Sequence, residues 1–152
     1  MNIHRANTEE LKKLIPIYKK AFPVHNVFTK SDEEIFKYME TADGDFLVAV
    51  EDEETLGGLL IAVELETPEH KRARFKHVAV AEGYQGKGIG SALLKQAEKI
   101  VGMGKIEIHV AEGISEPETE EFYKKNGYEI EGELKSHYRP GEICYIMGKV
   151  LE

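Results

Sequence analysis

The densest group of glycines in the chain lies between an apolar segment and an amphipathic one, and this arrangement restricts the fold most strongly. Val78–Val80 is typical of a strand end, and Gly83, Gly86, Gly88 and Gly90 follow within eight residues. Apolar residues then recur at three- to four-residue spacing, which predicts an amphipathic helix. These residues are Ile89, Leu93, Leu94, Ala97, Ile100 and Val101. The segment therefore predicts a strand, a tight turn and a helix in direct succession.

This turn also predicts an anion-binding site. Glycine lets the backbone approach a ligand closely, and the first N–H groups of a helix lack intrahelical partners and carry the positive end of its dipole. A phosphate or pyrophosphate is therefore the expected ligand. The P-loop pattern is excluded because Gly88 replaces its Ser or Thr, and the dinucleotide fingerprint is excluded because Ser91 replaces its last glycine. The alternative is a turn that needs its glycines for geometry alone.

The remaining pattern, Gln85-Gly-Lys-Gly-Ile-Gly90, resembles the acetyl-CoA pyrophosphate loop of the GNAT superfamily of N-acetyltransferases. The preceding strand and the acidic turn Glu82-Gly-Tyr84 are also similar to that family's signature. The resemblance implies that acetyl-CoA binds as the acetyl donor to the strand, the loop and one distant tyrosine. The implied set is Val78, Ala79, Val80, Gln85, Gly86, Lys87, Gly88, Ile89, Gly90, Ser91 and Tyr123.

Length and charge limit the classes of partner. The 152 residues predict a single domain, residues 1–152, and the net charge of −8 disfavours nucleic acid. No apolar run reaches the ~20 residues that span a bilayer, and the N-terminus lacks a signal-peptide core, so we expect no membrane association. A single cysteine, Cys144, excludes an internal disulfide and fits a reducing compartment, so we expect a cytoplasmic enzyme.

The sequence predicts no metal site. No two of the six histidines are four residues apart, and Cys144 lies in an apolar strand where we expect it to be part of the core. The expected assembly is a monomer or a homodimer.

Hydrophobic periodicity and turn residues predict eleven elements. Strands are expected at 2–6, 46–50, 56–65, 74–80, 106–110, 128–135 and 143–150, and helices from Thr8, after Ser31, from residue 89 and over 117–125. Pro16 predicts a kink or an early break in the first helix. The order β-α-α-β-β-β-α-β-α-β-β is also what the GNAT resemblance implies. The expected fold is thus α/β (α+β), with a mixed, mainly antiparallel sheet splayed at its central strand and about four helices.

A second segment, Phe122-Tyr-Lys-Lys-Asn-Gly-Tyr128, resembles the helix-end motif of the family, whose tyrosine often lies near the coenzyme sulfur. The resemblance implies that Tyr123 is the general acid for the leaving thiolate, the alternative being that its ring only packs. It also implies direct attack by the amine, without a covalent enzyme intermediate, on a carbonyl polarised by N–H groups near Val78 and Val80. Many members have an asparagine seven residues before the tyrosine, where this chain has Glu116.

The general base is not assigned by the sequence. Some family members have a glutamate eleven residues before the loop glutamine, and Arg74 stands there. The candidates are Glu64, Glu66, His77, Glu107, His109 or a water chain. This departure keeps a second hypothesis open, that of a non-catalytic acyl-CoA-binding or regulatory module.

The C-terminal segment Ser136-His-Tyr-Arg-Pro-Gly-Glu-Ile-Cys-Tyr-Ile-Met147 partly resembles the hairpin of ribosomal-protein-type N-terminal acetyltransferases. The resemblance implies that Tyr138 faces the acceptor. Those enzymes usually have a second aromatic residue beside this tyrosine, where the chain has His137. Both acceptor classes therefore stay open, an amine-bearing small molecule and a peptide or protein amino group.

Overall fold

A computed structural model of the chain describes residues 1–111 and 119–152. Within those ranges it contains seven strands and four helices, in the predicted order. They are β1 (Asn2–Arg5), α1 (Thr8–Ala21), α2 (Asp32–Thr41), β2 (Asp45–Glu51), β3 (Glu54–Glu66), β4 (Lys71–Val80), α3 (Ile89–Val101), β5 (Gly104–Ala111), α4 (Thr119–Lys125), β6 (Glu129–Lys135) and β7 (Ile143–Leu151).

The first helix begins at the predicted residue, Thr8, and is longer than Pro16 suggested. Asn7 is the N-cap: its side chain accepts from the Glu10 N–H at 2.9 Å, and the Glu10 carboxylate accepts from the Asn7 N–H at 3.0 Å. Pro16 lies inside α1, which continues to Ala21, so of the two expected outcomes the early break is wrong and the kink stays a prediction. Buried Ile15 and Tyr18 lie on either side of the proline, and their packing outweighs its unfavourable propensity.

The strands form one mixed sheet in the order β1-β2-β3-β4-β5-β7-β6. The pairs β1–β2, β2–β3, β5–β7 and β6–β7 are antiparallel. The pair β4–β5 is parallel, from Lys71 opposite Gly104 to Arg74 opposite Glu107. This confirms the predicted mixed, mainly antiparallel sheet with four helices. The predicted splay stays a prediction.

The chain divides into two compact units, residues 1–62 with 75–100 and residues 63–74 with 101–152. The expectation of one domain stays a prediction. The core of the first unit comprises Leu14, Ile15, Tyr18, Phe28, Ile35, Met39, Phe46, Val48, Leu60 and Ala79. Gly57 in β3 allows a close approach beside this core, because a Cβ there would lie 2.4 Å from the carbonyl oxygen of Ala79. The end of β4 is therefore held tightly against β3.

The second unit is built around the long antiparallel pair β5–β7. Ile106, Ile108 and Val110 are buried in β5, while Cys144 and Met147 are buried in β7. The side chain of Cys144 is 1% exposed, which confirms its predicted burial. Because β7 pairs with both β5 and β6, this part of the sheet holds the turn that joins β6 to β7.

The buried hydroxyl of Tyr18 makes no hydrogen bond to the part of the chain that the structure describes. Burial, with a smaller contribution from Tyr38, raises the pKa of Tyr18 well above its usual value. Because an unsatisfied buried hydroxyl costs stability, we expect Tyr18→Phe to raise the free energy of unfolding by about 1 kcal/mol. The melting temperature should rise by roughly 2–4 °C in thermal and urea unfolding. Tyr18→Ala, which removes the ring, should destabilise the chain, and a lower melting temperature for Tyr18→Phe would contradict this reading.

Candidate active site

The glycine loop, residues 81–88, connects β4 to α3 and has the geometry of an anion-binding turn. Gly86 has a φ of +76° and Gly88 a φ of +83°, both in the left-handed region. A Cβ at either position would meet no atom within 4 Å, so the space beside the backbone is open. The N–H of Ala92 donates to the carbonyl of Gly88 at 3.0 Å, which places Gly88 at the N-cap of α3. The helix itself supplies no partners to the N–H groups that precede this bond.

Contacts from the rest of the first unit hold the loop. The hydroxyl of Tyr84 donates to the carboxylate of Glu54, the first residue of β3. This hydrogen bond raises the pKa of Tyr84, so the phenol remains a donor at neutral pH. Glu82 forms an ion pair of 2.7 Å with Lys20 of α1. These two contacts could not be predicted from the sequence, because they join residues far apart in the chain.

Two predicted loop residues have defined neighbours in this unit. The amide of Gln85 donates to the carbonyl of Val80 at 3.3 Å and so links the loop to the end of β4. Lys87 is exposed, and its ammonium lies 5.5 Å from the ring centroid of Tyr84. A cation over an aromatic face is attracted to it, so Tyr84 also restrains Lys87 beside the loop.

A cleft of about 350 Å³ lies between the second half of α1, the end of β4 and the glycine loop. Its lining comprises Pro16, Ile17, Lys20, Ala21, Val80, Glu82 and Gln85. The predicted ligand residues Val80 and Gln85 therefore border one concave surface.

His77 interrupts the regular geometry of β4 directly before Val78. Its φ of +54° lies in the left-handed region, which is strained for a non-glycine residue. Strained residues of this kind cluster at functional sites. Its Nε2 lies 2.7 Å from the hydroxyl of Tyr38, and its ring centroid lies within 6.5 Å of six aromatic rings. These rings belong to Tyr18, Phe22, His25, Phe28, Tyr38 and Phe46. The imidazole is thus anchored within an aromatic cluster.

In the second unit, Tyr123 is fixed by the end of α4. Its side chain is 5% exposed, and its ring centroid lies 5.1 Å from Phe122 and 5.9 Å from Tyr128. The Tyr128 N–H donates to the carbonyl of Tyr123 at 3.0 Å, and Gly127 has a φ of +91°, which confirms the predicted helix end. The predicted departure at Glu116 and the predicted helix residues 117 and 118 lie outside the described residues.

Tyr138 lies in the tight turn between β6 and β7. The Ser136 N–H donates to the carbonyl of Glu142 at 2.9 Å, and Arg139 pairs with the Glu142 carboxylate at 2.8 Å. The Tyr138 side chain is 48% exposed, and its hydroxyl accepts from the Arg74 guanidinium at 3.4 Å. Arg74 stands where some family members have a glutamate. It therefore contacts Tyr138, the residue that was predicted to face the acceptor substrate. This pairing was missed from the sequence because 64 positions separate the two residues.

The other candidates for the general base in this unit differ in their exposure and in their neighbours. Glu66 is exposed and lies 3.7 Å from Lys71, and Glu64 is exposed in the same strand. Glu107 is half-buried between Lys105 at 3.4 Å and Arg72 at 3.6 Å. His109, also half-buried, has its ring centroid 5.6 Å from that of His137.

Comparison with known proteins identifies the family. The sequence model of one protein family, the acetyltransferase (GNAT) domain, matches residues 42–130, more than half of the chain. The chain belongs to the GNAT acetyltransferase family. This acetyltransferase uses acetyl-CoA as its acetyl donor and an amine as its acceptor, as the glycine loop predicted. Among the described residues, no helix combines the length and apolar character needed to cross a membrane.

Several relatives cover nearly the whole of this acetyltransferase. An N-alpha-acetyltransferase from Sulfurisphaera tokodaii is 26% identical over 158 residues, which span 98% of this chain and 92% of the relative. The structure of Arabidopsis thaliana Naa50 in complex with the bisubstrate analogue CoA-Ac-MVNAL has a TM-score of 0.75 at 24% identity, covering 99% and 98% of the two chains. An aminoglycoside 6'-N-acetyltransferase complexed with coenzyme A has a TM-score of 0.79 at 17% identity, covering 99% and 97%. The last two proteins share the fold of this chain.

Proposed function

We propose that this acetyltransferase acetylates the α-amino group of peptide or protein N-termini. The observation that carries the proposal is the braced β6–β7 turn, which presents half-exposed Tyr138 with its hydroxyl beside Arg74. A phenolic hydroxyl both donates and accepts, so it suits the N–H and C=O groups of a peptide backbone. The match to an N-alpha-acetyltransferase along 98% of the chain supports the same acceptor class.

The proposed coenzyme site begins at the glycine loop. The pyrophosphate binds the N–H groups between Gly86 and Ser91, where positive φ values and open space give close access. The pantetheine follows Val78–Val80, directly after the irregular residue His77. Gln85 and Tyr84 hold the loop in this arrangement through Val80 and Glu54.

The proposed reaction is a direct displacement in a ternary complex. The neutral amine attacks the thioester carbonyl, and a backbone N–H near Val78 or Val80 stabilises the developing oxyanion. The C–N bond forms, the C–S bond breaks, and the nitrogen loses its proton to a base. Tyr123 donates its phenolic proton to the departing thiolate and recovers a proton afterwards.

The acceptor class is tested with acetyl-CoA and three kinds of amine, measuring thiol release and the mass of each product. We expect turnover of peptides with a free N-terminus, and none of N-terminally blocked peptides that contain an internal lysine. An aminoglycoside serves as the small-amine comparison. Preferred turnover of the aminoglycoside or of the internal lysine would overturn the proposed acceptor.

The role of Tyr138 is tested in the same assay. Tyr138→Phe should raise the KM for the peptide by about 2- to 10-fold, the effect of one hydrogen bond, and should leave coenzyme affinity unchanged. Arg74→Met removes the partner and should act in the same direction. Because the two residues act together, the double variant should be little worse than either single variant. Fully additive effects would show that Arg74 does not position Tyr138.

Lys87 is expected to act as an exposed charge near the coenzyme phosphates. Lys87→Ala should weaken coenzyme binding by about two- to fivefold, as is usual for an exposed ion pair, and this loss should shrink as salt is raised. Lys99→Ala, in the last turn of α3, is the matched control and should bind normally. A large loss that is independent of salt would assign Lys87 a different role.

A further inference from the structure

We propose that His109, His137 and Cys144 form a binding site for a transition-metal dication, specifically Zn²⁺. One potential ligand atom from each side chain lies within 4.8 Å of the other two. All three residues belong to the second unit, whereas the glycine loop belongs to the first. The site goes beyond acetyl transfer and does not rest on the proposed acceptor.

The sheet fixes two of the three donors. His109 lies opposite Ile146 in the antiparallel pair β5–β7, and Cys144 lies two residues before Ile146, opposite Ala111. Residues directly opposite each other, and those two apart on one strand, share a face of a sheet. His109 and Cys144 therefore project from the same face of adjacent strands, and backbone hydrogen bonding sets their spacing.

The third donor comes from the β6–β7 turn. His137 is exposed, and its ring centroid lies 5.6 Å from that of His109. The hydrogen bond between Ser136 and Glu142 closes this turn, so His137 is held near the sheet while its imidazole can rotate. A metal bound by all three donors would link the turn to β5 and β7.

The donor set indicates which metal fits. Zinc binds imidazole nitrogen at about 2.0–2.1 Å and thiolate sulfur at about 2.3 Å, so the ligand atoms of two imidazoles and one thiolate lie roughly 3.3–3.6 Å apart in a tetrahedral site. Rotation of the exposed His137 ring changes its own distances to the other two donors without moving the sheet. A thiolate with two imidazoles favours Zn²⁺ over Mg²⁺ or Ca²⁺, and a fourth position remains for water or another ligand. On binding, the Cys144 thiol gives its proton to solvent.

No metal site was expected from the sequence because no two histidines have helical spacing. Here 28 positions separate the two histidines, and the cysteine follows seven residues after the second. Two strands and a turn bring these donors together. A rule based on local spacing does not detect such a set.

The first test uses the full-length, untagged chain after treatment with a chelator. Titration with Co²⁺ should give one equivalent of binding and a thiolate-to-cobalt charge-transfer absorption. Because Cys144 is the single cysteine, this absorption reports on the proposed site alone. Zn²⁺ should displace the Co²⁺ and abolish the absorption, whereas Mg²⁺ should not. Cobalt binding without the thiolate absorption would overturn the proposal.

The second test compares two exposed histidines. Changes to groups around a metal site typically cost 10- to 100-fold in affinity, so loss of a direct ligand in His137→Ala should cost about 100-fold or more. His70→Ala, the matched control, should bind Zn²⁺ as the unaltered chain does. Zn²⁺ should raise the melting temperature of the unaltered chain and of His70→Ala, but not of His137→Ala. Equal Zn²⁺ affinity in His137→Ala and His70→Ala would overturn the proposed site.

Discussion

Replacing Gly88 with valine should abolish coenzyme binding while the chain remains folded. A Cβ at this position meets no atom within 4 Å, so we expect the protein to have room for the new side chain. It occupies instead the open space in which we place the pyrophosphate, and it blocks access to the N–H groups at the start of α3. The φ of +83° adds backbone strain of about 1–2 kcal/mol, which a domain of this size tolerates.

A glycine just beyond the other end of α3 provides a close control. Gly102 has a φ of +84°, and a Cβ there also meets no atom within 4 Å. Gly88→Val and Gly102→Val should therefore lower the melting temperature by similar amounts. Titration calorimetry with acetyl-CoA should detect binding only in Gly102→Val. Normal affinity in a folded Gly88→Val chain would remove the glycine loop from the coenzyme site.

Much of the fold could be predicted because local chemistry specifies it. Apolar spacing predicted α3, and Asn126-Gly127 predicted the end of α4, where Gly127 adopts a φ of +91°. The start of β4 was predicted three residues late, since Lys71 and Arg72 give no apolar signal. Their strand geometry comes from parallel pairing with β5, a contact between distant segments.

The glycine loop could be predicted for the same reason, but its supports could not. Glycine permits the positive φ values of Gly86 and Gly88, whereas the contact of Tyr84 with Glu54 depends on the position of β3. The contact of Arg74 with Tyr138 likewise depends on where a distant turn lies. From the sequence, Arg74 is seen only as the absence of the glutamate that some family members have. In the structure its guanidinium contacts the hydroxyl of Tyr138.

Tyr123→Phe should lower kcat by about 100-fold or more, the low end for loss of a general acid. Phenylalanine keeps the ring that packs against Phe122 and Tyr128 and removes the hydroxyl with its acidic proton. Coenzyme affinity and melting temperature should therefore barely change. If the residue only packs, Tyr123→Phe should turn over normally and Tyr123→Ala should fail.

A neighbouring tyrosine and a change of acyl donor separate these two roles. Tyr128 is 2% exposed and its ring centroid lies 5.9 Å from Tyr123, so Tyr128→Phe makes the same exchange at a comparably buried position and should keep its kcat. A donor with a better leaving group needs less protonation, so the loss in Tyr123→Phe should be smaller with that donor. The measurement is single-turnover kinetics, which isolates the chemical step. A kcat close to that of the unaltered enzyme, with chemistry rate-limiting, would exclude Tyr123 as the acid. Thiolate departure would then depend on water or the backbone.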